Sequence, residues 1–388
     1  MSISSAYDDH ESLPLRRKLR DINWVLVILL VAVACVGFAM LYSAANGSLT
    51  PWASRQMIRF GVGLVLMFIL ALTDIRIWIR YAYVIYLVAL LLLIAVEVMG
   101  VVGMGARRWV DLGVFQLQPS EVMKIALVLA LARFYHGLAM EDVPRIRMLL
   151  PPLVMIALPS VLVLRQPDLG TTVLLVMTAG AIIFSAGVRL WKFALAATLI
   201  VAAVPLAWRL LLHGYQKQRV LTFLDPESDP LGAGYHIIQS KIALGSGGVF
   251  GKGYLQGTQS HLSFLPERQT DFIFTMLAEE FGLVGCLGLL GLYIAIIAFG
   301  YAVALRSRNH FGRLTAVGIT TTFFLYVFIN MAMVMGLIPV VGVPLPLVSY
   351  GGTSMMSVLI GFGLIMNISI HRDVVIPRRV SFEGRGWL

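Results

Sequence analysis

Ionisable side chains inside long apolar runs are where chemistry is to be sought, because charge at membrane depth is costly and persists where protein or water surrounds it. Three stretches qualify. In Gln118-Pro119-Ser120-Glu121-Val122-Met123-Lys124 the proline suits the first turn of a helix, and Glu121 and Lys124 share one helix face and can pair. Two readings fit: an ion pair that only packs helices together, or a cation held in a polar cavity for an anionic substrate. The second stretch, Phe264 to Phe274, holds Glu267, Arg268, Thr270 and Asp271 where a polar segment turns into a long span. Thr270 or Asp271 serves either as a helix N-cap or in acid–base catalysis, and spacing alone does not choose. Glu279 and Glu280 follow about 12 Å deeper, so at least one faces protein or water. The third stretch, Gly336 to Ser354, carries Pro339, Pro344 and Pro346 among glycines in apolar surroundings. Such a segment predicts broken or re-entrant backbone, tolerated at membrane depth where it is buried in protein or lines a cavity; a pore and a substrate cavity fit equally.

The elements that must position these groups are set by composition. Hydrophobic residues make up 59% of the 388 residues and charged ones 13%, against about 25% charged in soluble chains. Mean hydropathy is +0.86. Runs of about 20 apolar residues recur from Ile22 almost to the C-terminus, which predicts an all-α integral membrane protein with about ten transmembrane helices. The expected spans are 22–44, 55–73, 80–101, 119–136, 150–165, 171–187, 191–211, 271–304, 314–337 and 346–370. A tail at 1–21 precedes the 22–370 membrane domain, a tail at 371–388 follows it, and a large extracytoplasmic loop at 213–270 separates spans seven and eight. Arg76, Arg80, Arg145, Arg147, Arg189, Arg306, Arg308 and the tail arginines fall on alternate connections, which by the positive-inside rule puts both termini in the cytoplasm.

The net charge of +10 is dispersed over short loops instead of forming one basic stripe, so it gives no sign of a nucleic-acid partner. Arg107, Arg108, Arg165, Lys217, Arg219, Lys241, Lys252 and Arg268 are exceptions on the outward side that need another reason. The glycine-rich run Gly245 to Gly253 lacks the spacing of a nucleotide loop. Its glycines are expected to let the backbone lie flat against the membrane surface, with Lys252 near an anion. Cys35 and Cys286 read as small core residues without disulfide or zinc partners. Trp109 reads equally as an interfacial anchor or as a functional residue beside Arg107 and Arg108, and Asp168 as the organiser of a tight turn.

Four segments in order resemble the RodA/FtsW family of shape, elongation, division and sporulation proteins: GMGARRWVDLGVFQLQPSEVMK at 103–124, RQPDLGT at 165–171, GTQSHLSFLPERQTDFIF at 257–274 and PVVGVPLPLVSYGGTS at 339–354. The resemblance extends over essentially the whole chain. Leu-Pro-Glu-Arg-Gln-Thr-Asp and the short N-terminal tail look more like the RodA branch, of cell elongation, than the FtsW branch, of division. The family implies a ten-span glycosyltransferase of the bacterial inner membrane that polymerises the precursor lipid II into a growing glycan strand. It also implies a class B penicillin-binding transpeptidase of the PBP2 kind and other elongation proteins as partners. By resemblance Asp271, in Thr-Asp-Phe-Ile-Phe, maps to the catalytic residue, and Glu121, Lys124 and Trp109 fall at motif positions implicated in the cavity or in activity. Ser263 stands where many relatives appear to carry a carboxylate, leaving Glu267 as the nearest substitute.

That chemistry joins an acceptor sugar hydroxyl to an anomeric carbon whose leaving group is a lipid diphosphate. Glycosidases use two carboxylates because an alkoxide leaves badly. Diphosphate leaves well, so one carboxylate base, Asp271, and cations from Lys124, Arg108 and Arg268 suffice, with inversion expected. A divalent cation, magnesium or manganese, bridging diphosphate and carboxylate fits the same scheme. The alternative is a flippase that moves lipid II across the bilayer, since charges at depth and broken helices suit transport too. A scaffold that only docks a transpeptidase leaves Glu121 and Lys124 unexplained.

Overall fold

The computed structural model describes residues 14–103, 106–111, 113, 116–210, 214–225, 233–258 and 268–377. The chain begins with a short helix α1 (Leu15–Arg20), followed by α2 (Trp24–Ala44), α3 (Ala53–Leu72) and α4 (Ile75–Met99). A small antiparallel sheet comes next, β1 (Val101–Gly103), β2 (Ala106–Asp111) and β3 (Gln116–Leu117), in that spatial order. Then come α5 (Pro119–Gly137), α6 (Leu150–Arg165), α7 (Leu169–Ser185) and α8 (Leu190–Leu210). The helices α9 (Gly214–Leu224) and α10 (Ala233–Ser246) lie in the long connection before α11 (Ile273–Arg306), α12 (His310–Val334) and α13 (Gly352–Ile370). The ten expected spans correspond to α2–α8 and α11–α13, and seven of the described helices meet the length and apolarity needed to cross a membrane.

Local signals start these helices where the sequence supplies them. Asn23 accepts from the Leu26 N–H at 3.3 Å, Asp74 from Arg76 at 2.8 Å and Asn309 from Gly312 at 2.5 Å, each satisfying a first-turn donor. Pro119 sits in the first turn of α5, where its missing N–H costs nothing. Burial then sorts the helices by role. Within their spans α12 and α13 are 78% and 67% buried, whereas the other candidate spans are 22–44% buried. The peripheral helices turn large apolar side chains such as Ile28, Val62, Leu87 and Leu91 outward, as lipid contact requires. α12, α13 and the largely buried α5 form the centre.

Three expectations change. Cys35 is exposed on the surface of α2 and is not a core residue, while Cys286 is half-buried and packs against the edge of the core; a thiol is apolar enough to sit at a lipid-facing position. The long connection carries helices, and the connection after α4 folds as a β-hairpin extended by a third strand. Span 346–370 becomes helical only at Gly352, after an irregular segment.

The largest departure is in α11. Its 34 residues would run about 51 Å if straight, well beyond a hydrocarbon core of about 30 Å. Gly282, at φ 64° and ψ −158°, breaks it in a region of backbone space that is essentially glycine's alone. The break strips the Glu279 and Glu280 carbonyls and the Leu283 and Val284 N–H groups of their helical partners. The glycine-rich loop replaces them one for one. Lys252 N–H donates to Glu279 O at 3.0 Å and Gly253 N–H to Glu280 O at 3.1 Å, while Leu283 and Val284 donate to Gly248 O and Val249 O at 3.0 and 3.1 Å.

So the glycines serve close approach to a helix, not a flat path on the membrane surface. A Cβ at Gly247 would stand 2.0 Å from the Ala278 carbonyl oxygen. The anion beside Lys252 is the protein's own fully buried Glu279, 2.7 Å away, which also accepts from Thr258 at 3.1 Å. Ser43 donates to Glu280 at 2.5 Å. Gly247→Ala is therefore expected to push the loop off α11 and lower stability by about 1–3 kcal/mol, the usual cost of overpacking. Thermal unfolding in detergent and the rate of tryptic cleavage after Lys252 check this: an unchanged melt and unchanged cleavage would contradict the docking.

Candidate active site

Glu121 projects from the first turn of α5 into the centre of the bundle, and its carboxylate is fully engaged. Lys124 Nζ lies 2.6 Å away, with both side chains about 5% exposed. Tyr326 of α12 donates its hydroxyl between the two carboxylate oxygens, at 2.9 and 3.0 Å, and Ser357 of α13 donates at 2.5 Å. The Lys124 ammonium also sits 4.3 Å from the centre of the Tyr326 ring, whose face attracts a cation. Ile125, Val128, Phe323 and Val358 form an apolar wall beside this cluster, around a cavity of about 30 Å³. That space holds a water or two, not a substrate.

Asp271 lies in a turn that the rest of the site holds by its backbone. α11 starts at Ile273 with Phe272 as its N-cap residue, so Asp271 stands just outside the helix and is not its cap. Asn330 of α12, fully buried, donates its amide to Asp271 O at 2.9 Å and to Val343 O at 2.7 Å. Ser349 donates to Thr270 O at 2.6 Å, and the Tyr350 N–H donates to Gln269 O at 2.8 Å. A Cβ built on Gly342, at φ +71°, would touch the Asp271 carboxylate at 3.4 Å. Glycine is favoured there by the positive φ, since a Cβ would make only an ordinary contact with the acid.

The irregular segment 339–351 thus resolves in favour of backbone buried in protein at Asp271. Leu345 to Ser349 are all buried. Gln56 of α3 donates to Ser349 O at 2.9 Å, and Tyr293 of α11 donates to Pro346 O at 2.7 Å. On the other side, a Cβ at Gly170 would meet Val343 and Val341, so the start of α7 abuts the same segment. Asp168 caps α7 by accepting from Thr171 N–H at 3.0 Å and Thr171 Oγ1 at 2.9 Å, as its turn-organising reading requires.

Arg108, on β2, reaches that turn. Its guanidinium donates to Gln166 O at 3.0 Å and Pro167 O at 2.5 Å, tying the sheet to the start of α7. Trp109 is half-buried beside it on the same strand. Arg268 is half-buried in the Asp271 turn, and burial lowers its pKa from the usual arginine value. Glu267 lies outside the described residues, as does Ser263. The site therefore has two parts, the Asp271 turn and the Glu121–Lys124 cluster, and α12 holds both. Tyr326 and Asn330, one helical turn apart, face the two parts from one side of that helix.

Sequence reading missed Tyr326, Asn330, Ser357 and Arg59. The first three are neutral side chains that gain meaning only from their partners. Arg59, an ionisable residue within the span of α3, had the signal that picked out Lys124, and its guanidinium lies 5.1 Å from the centre of the Tyr350 ring.

Comparison with known proteins bears on what this arrangement is for. The cell cycle protein family of FtsW, RodA and SpoVE matches residues 22–374. The chain is 46% identical over 351 residues to the peptidoglycan glycosyltransferase MrdB of Escherichia coli K12, covering 90% of this chain and 94% of that one. It is 37% identical over 366 residues to a probable peptidoglycan glycosyltransferase FtsW of Trichlorobacter lovleyi, covering 91% and 94%. Among solved structures, a peptidoglycan synthase complex that coordinates polymerization and crosslinking superposes with TM-score 0.78 at 36% identity, covering 90% of this chain and 98% of that one. The rod shape determining protein RodA of Thermus thermophilus superposes with TM-score 0.68 at 32% identity, covering 90% and 97%. The chain is an all-α integral membrane protein of the FtsW/RodA/SpoVE family.

Asn330→Ala would leave the Asp271 and Val343 carbonyls without their buried donor. It is expected to cost about 1–3 kcal/mol for each carbonyl left unsatisfied, read as a lower midpoint of thermal unfolding in detergent. A melt matching the wild type would mean that the turn is held by its other contacts alone.

Proposed function

We infer that this protein is a peptidoglycan glycosyltransferase that polymerises lipid II into glycan strands during cell elongation. The observation that carries the reading is convergence: the segments around 108, 165–171, 268–271 and 339–351, far apart in sequence, meet around the Asp271 turn. The relatives named above are glycosyltransferases, which supports polymerisation over lipid transport. The segments 17–23 and 369–374 lie together at one end of the bundle, and the Asp271 turn lies at the other, where Tyr254 of the long loop donates to Ala39 O near the end of α2. With the basic connections facing the cytoplasm, the Asp271 end faces the outside of the cytoplasmic membrane, where a polymer must be made.

Asp271 is the general base in this reading. The acceptor hydroxyl gives its proton to the carboxylate as its oxygen bonds to the anomeric carbon, and the bond to the lipid diphosphate breaks on the opposite face, inverting the centre. Arg268 and Lys124 supply positive charge toward the diphosphate. Arg108 acts by holding the turn before α7, with Trp109 beside it, and Glu267 stays a substrate-binding candidate on its sequence position next to Arg268. The cavity beside Lys124 must widen before a lipid diphosphate reaches it, with its apolar wall then serving the tail.

A divalent cation, magnesium or manganese, fits as a guest of the substrate. Among the described residues no three His, Cys, Asp or Glu side chains converge; if such an ion were bound, Asp271 would be the residue to hold it, with the substrate diphosphate offering the remaining oxygens. Magnesium is commonly bound in this way, through one or two carboxylates and substrate phosphates. Bound there it would offset charge on the leaving group. The likeness to a synthase complex that coordinates polymerization and crosslinking supports a class B penicillin-binding transpeptidase as partner; other elongation proteins are partners in this reading by family resemblance alone.

Asp271→Asn is expected to lower polymerisation of purified lipid II by roughly 10²–10⁴-fold, because an amide cannot accept the proton. Its melting temperature should hold, since asparagine retains the backbone carbonyl by which Asn330 anchors this residue. Near-normal glycan chains from this variant would remove Asp271 from the chemistry. The Glu121–Lys124 pair is tested separately. Lys124→Ala is expected to destabilise by about 3–5 kcal/mol by stranding a buried carboxylate, whereas Glu121→Gln with Lys124→Met removes both charges and should remain folded. If that folded double variant polymerises lipid II at the wild-type rate, the pair only packs helices together.

A further inference from the structure

At the terminal end of the bundle, opposite Asp271, two cavities share a wall. One, of about 320 Å³, is polar and lined by Arg17, Arg20, Asp21, Asn23, Arg372 and Asp373. The other, of about 310 Å³, runs along apolar side chains, Val25 of α2 and Phe299, Ala302 and Val303 of α11, and ends at Arg306. Asn23, Ser369 and Arg372 line both. A charged chamber thus continues into an apolar groove against the membrane-spanning part of two helices.

We propose that this pair of cavities binds an anionic glycerophospholipid, with its phosphate among Arg17, Arg20, Arg306 and Arg372 and an acyl chain in the groove of Val25, Phe299 and Ala302. Four guanidiniums face two carboxylates, Asp21 and Asp373, so the chamber carries an excess of positive charge. The internal pairing is weak. Arg17 and Arg20 stand 3.8 and 3.6 Å from Asp21, and Arg372 stands 3.6 Å from Asp373, on side chains 36–79% exposed. Such pairs contribute little and leave the arginines able to take a better acceptor. The N-terminus of α2, capped by Asn23, adds its partial positive charge at the shared wall. A soluble phosphate would use the chamber alone. The groove beside it is the feature that selects a lipid, and exposed Trp24 and Val25 place it where a bilayer begins.

The test is lipid retention by the full chain reconstituted in nanodiscs of phosphatidylcholine with phosphatidylglycerol, then extracted into detergent and read by native mass spectrometry. Wild type is expected to retain phosphatidylglycerol in excess of its bulk share. Arg306→Gln with Arg372→Gln should cut that excess by about fivefold per arginine removed. Ala302→Trp, which fills the groove and leaves every charge in place, should lower it as well. The charge-matched control Arg147→Gln with Arg189→Gln, on connections away from the cavities, should retain the lipid as wild type does. Equal loss in the control would overturn the proposal in favour of general surface charge, and unchanged retention in Ala302→Trp would overturn the groove. Displacement of the lipid by millimolar inorganic phosphate would make this a site for soluble anions and overturn it too.

Discussion

Backbone N–H and C=O groups at membrane depth have no water to turn to, and this protein breaks its helices at several places there. Each break is tolerated because another part of the chain supplies the missing partners. At Gly282 the glycine-rich loop returns four backbone hydrogen bonds to the interrupted helix. Along 339–351 the carbonyls of Val343, Pro346 and Ser349 are met by Asn330, Tyr293 and Gln56. The Asp271 turn owes its position to the same requirement, because Asn330 and Ser349 satisfy its carbonyls as well as their own surroundings. The scaffold of the site is thus a set of repairs to broken backbone.

This gives α12 its standing at the centre. It is the most buried candidate span, and Tyr326 and Asn330 on one of its faces hold the Glu121 carboxylate and the Asp271 turn. A shift of α12 would move both parts of the site together. The Glu121 cage is satisfied on every side in this state, by Lys124, Tyr326 and Ser357. Such a network is stable while closed and costly if half-open. Parting Lys124 from this cage would require α12 and α13 to move relative to α5, because Tyr326 and Ser357 reach Glu121 from those two helices.

Much of this was legible in the sequence. The apolar runs predicted the membrane helices, because lipid demands uninterrupted apolar length. Proline and glycine between 336 and 354 predicted broken backbone, and Glu121 and Lys124, three residues apart, predicted their own ion pair. Asp271 stood out because a polar segment enters a span there. These signals are local: each is carried by residue type and near spacing.

Tertiary structure decided what spacing leaves open. That Arg108 meets the carbonyls of Gln166 and Pro167, that Gly342 lies over Asp271, and that Lys252 answers Glu279 depend on segments brought together only by folding. Asn330, Tyr326 and Ser357 gave no sequence signal because a neutral donor becomes informative only when its acceptor is known. The glycines at 247 and 251 were misread for the same reason: glycine announces that something approaches closely, and only the fold shows that it is the backbone of α11 at Ala278 and Glu280. The sequence determined which groups must be hidden from lipid, since that follows from the cost of burying each one. The fold chose their partners, since pairing depends on distances between residues that the chain order does not constrain.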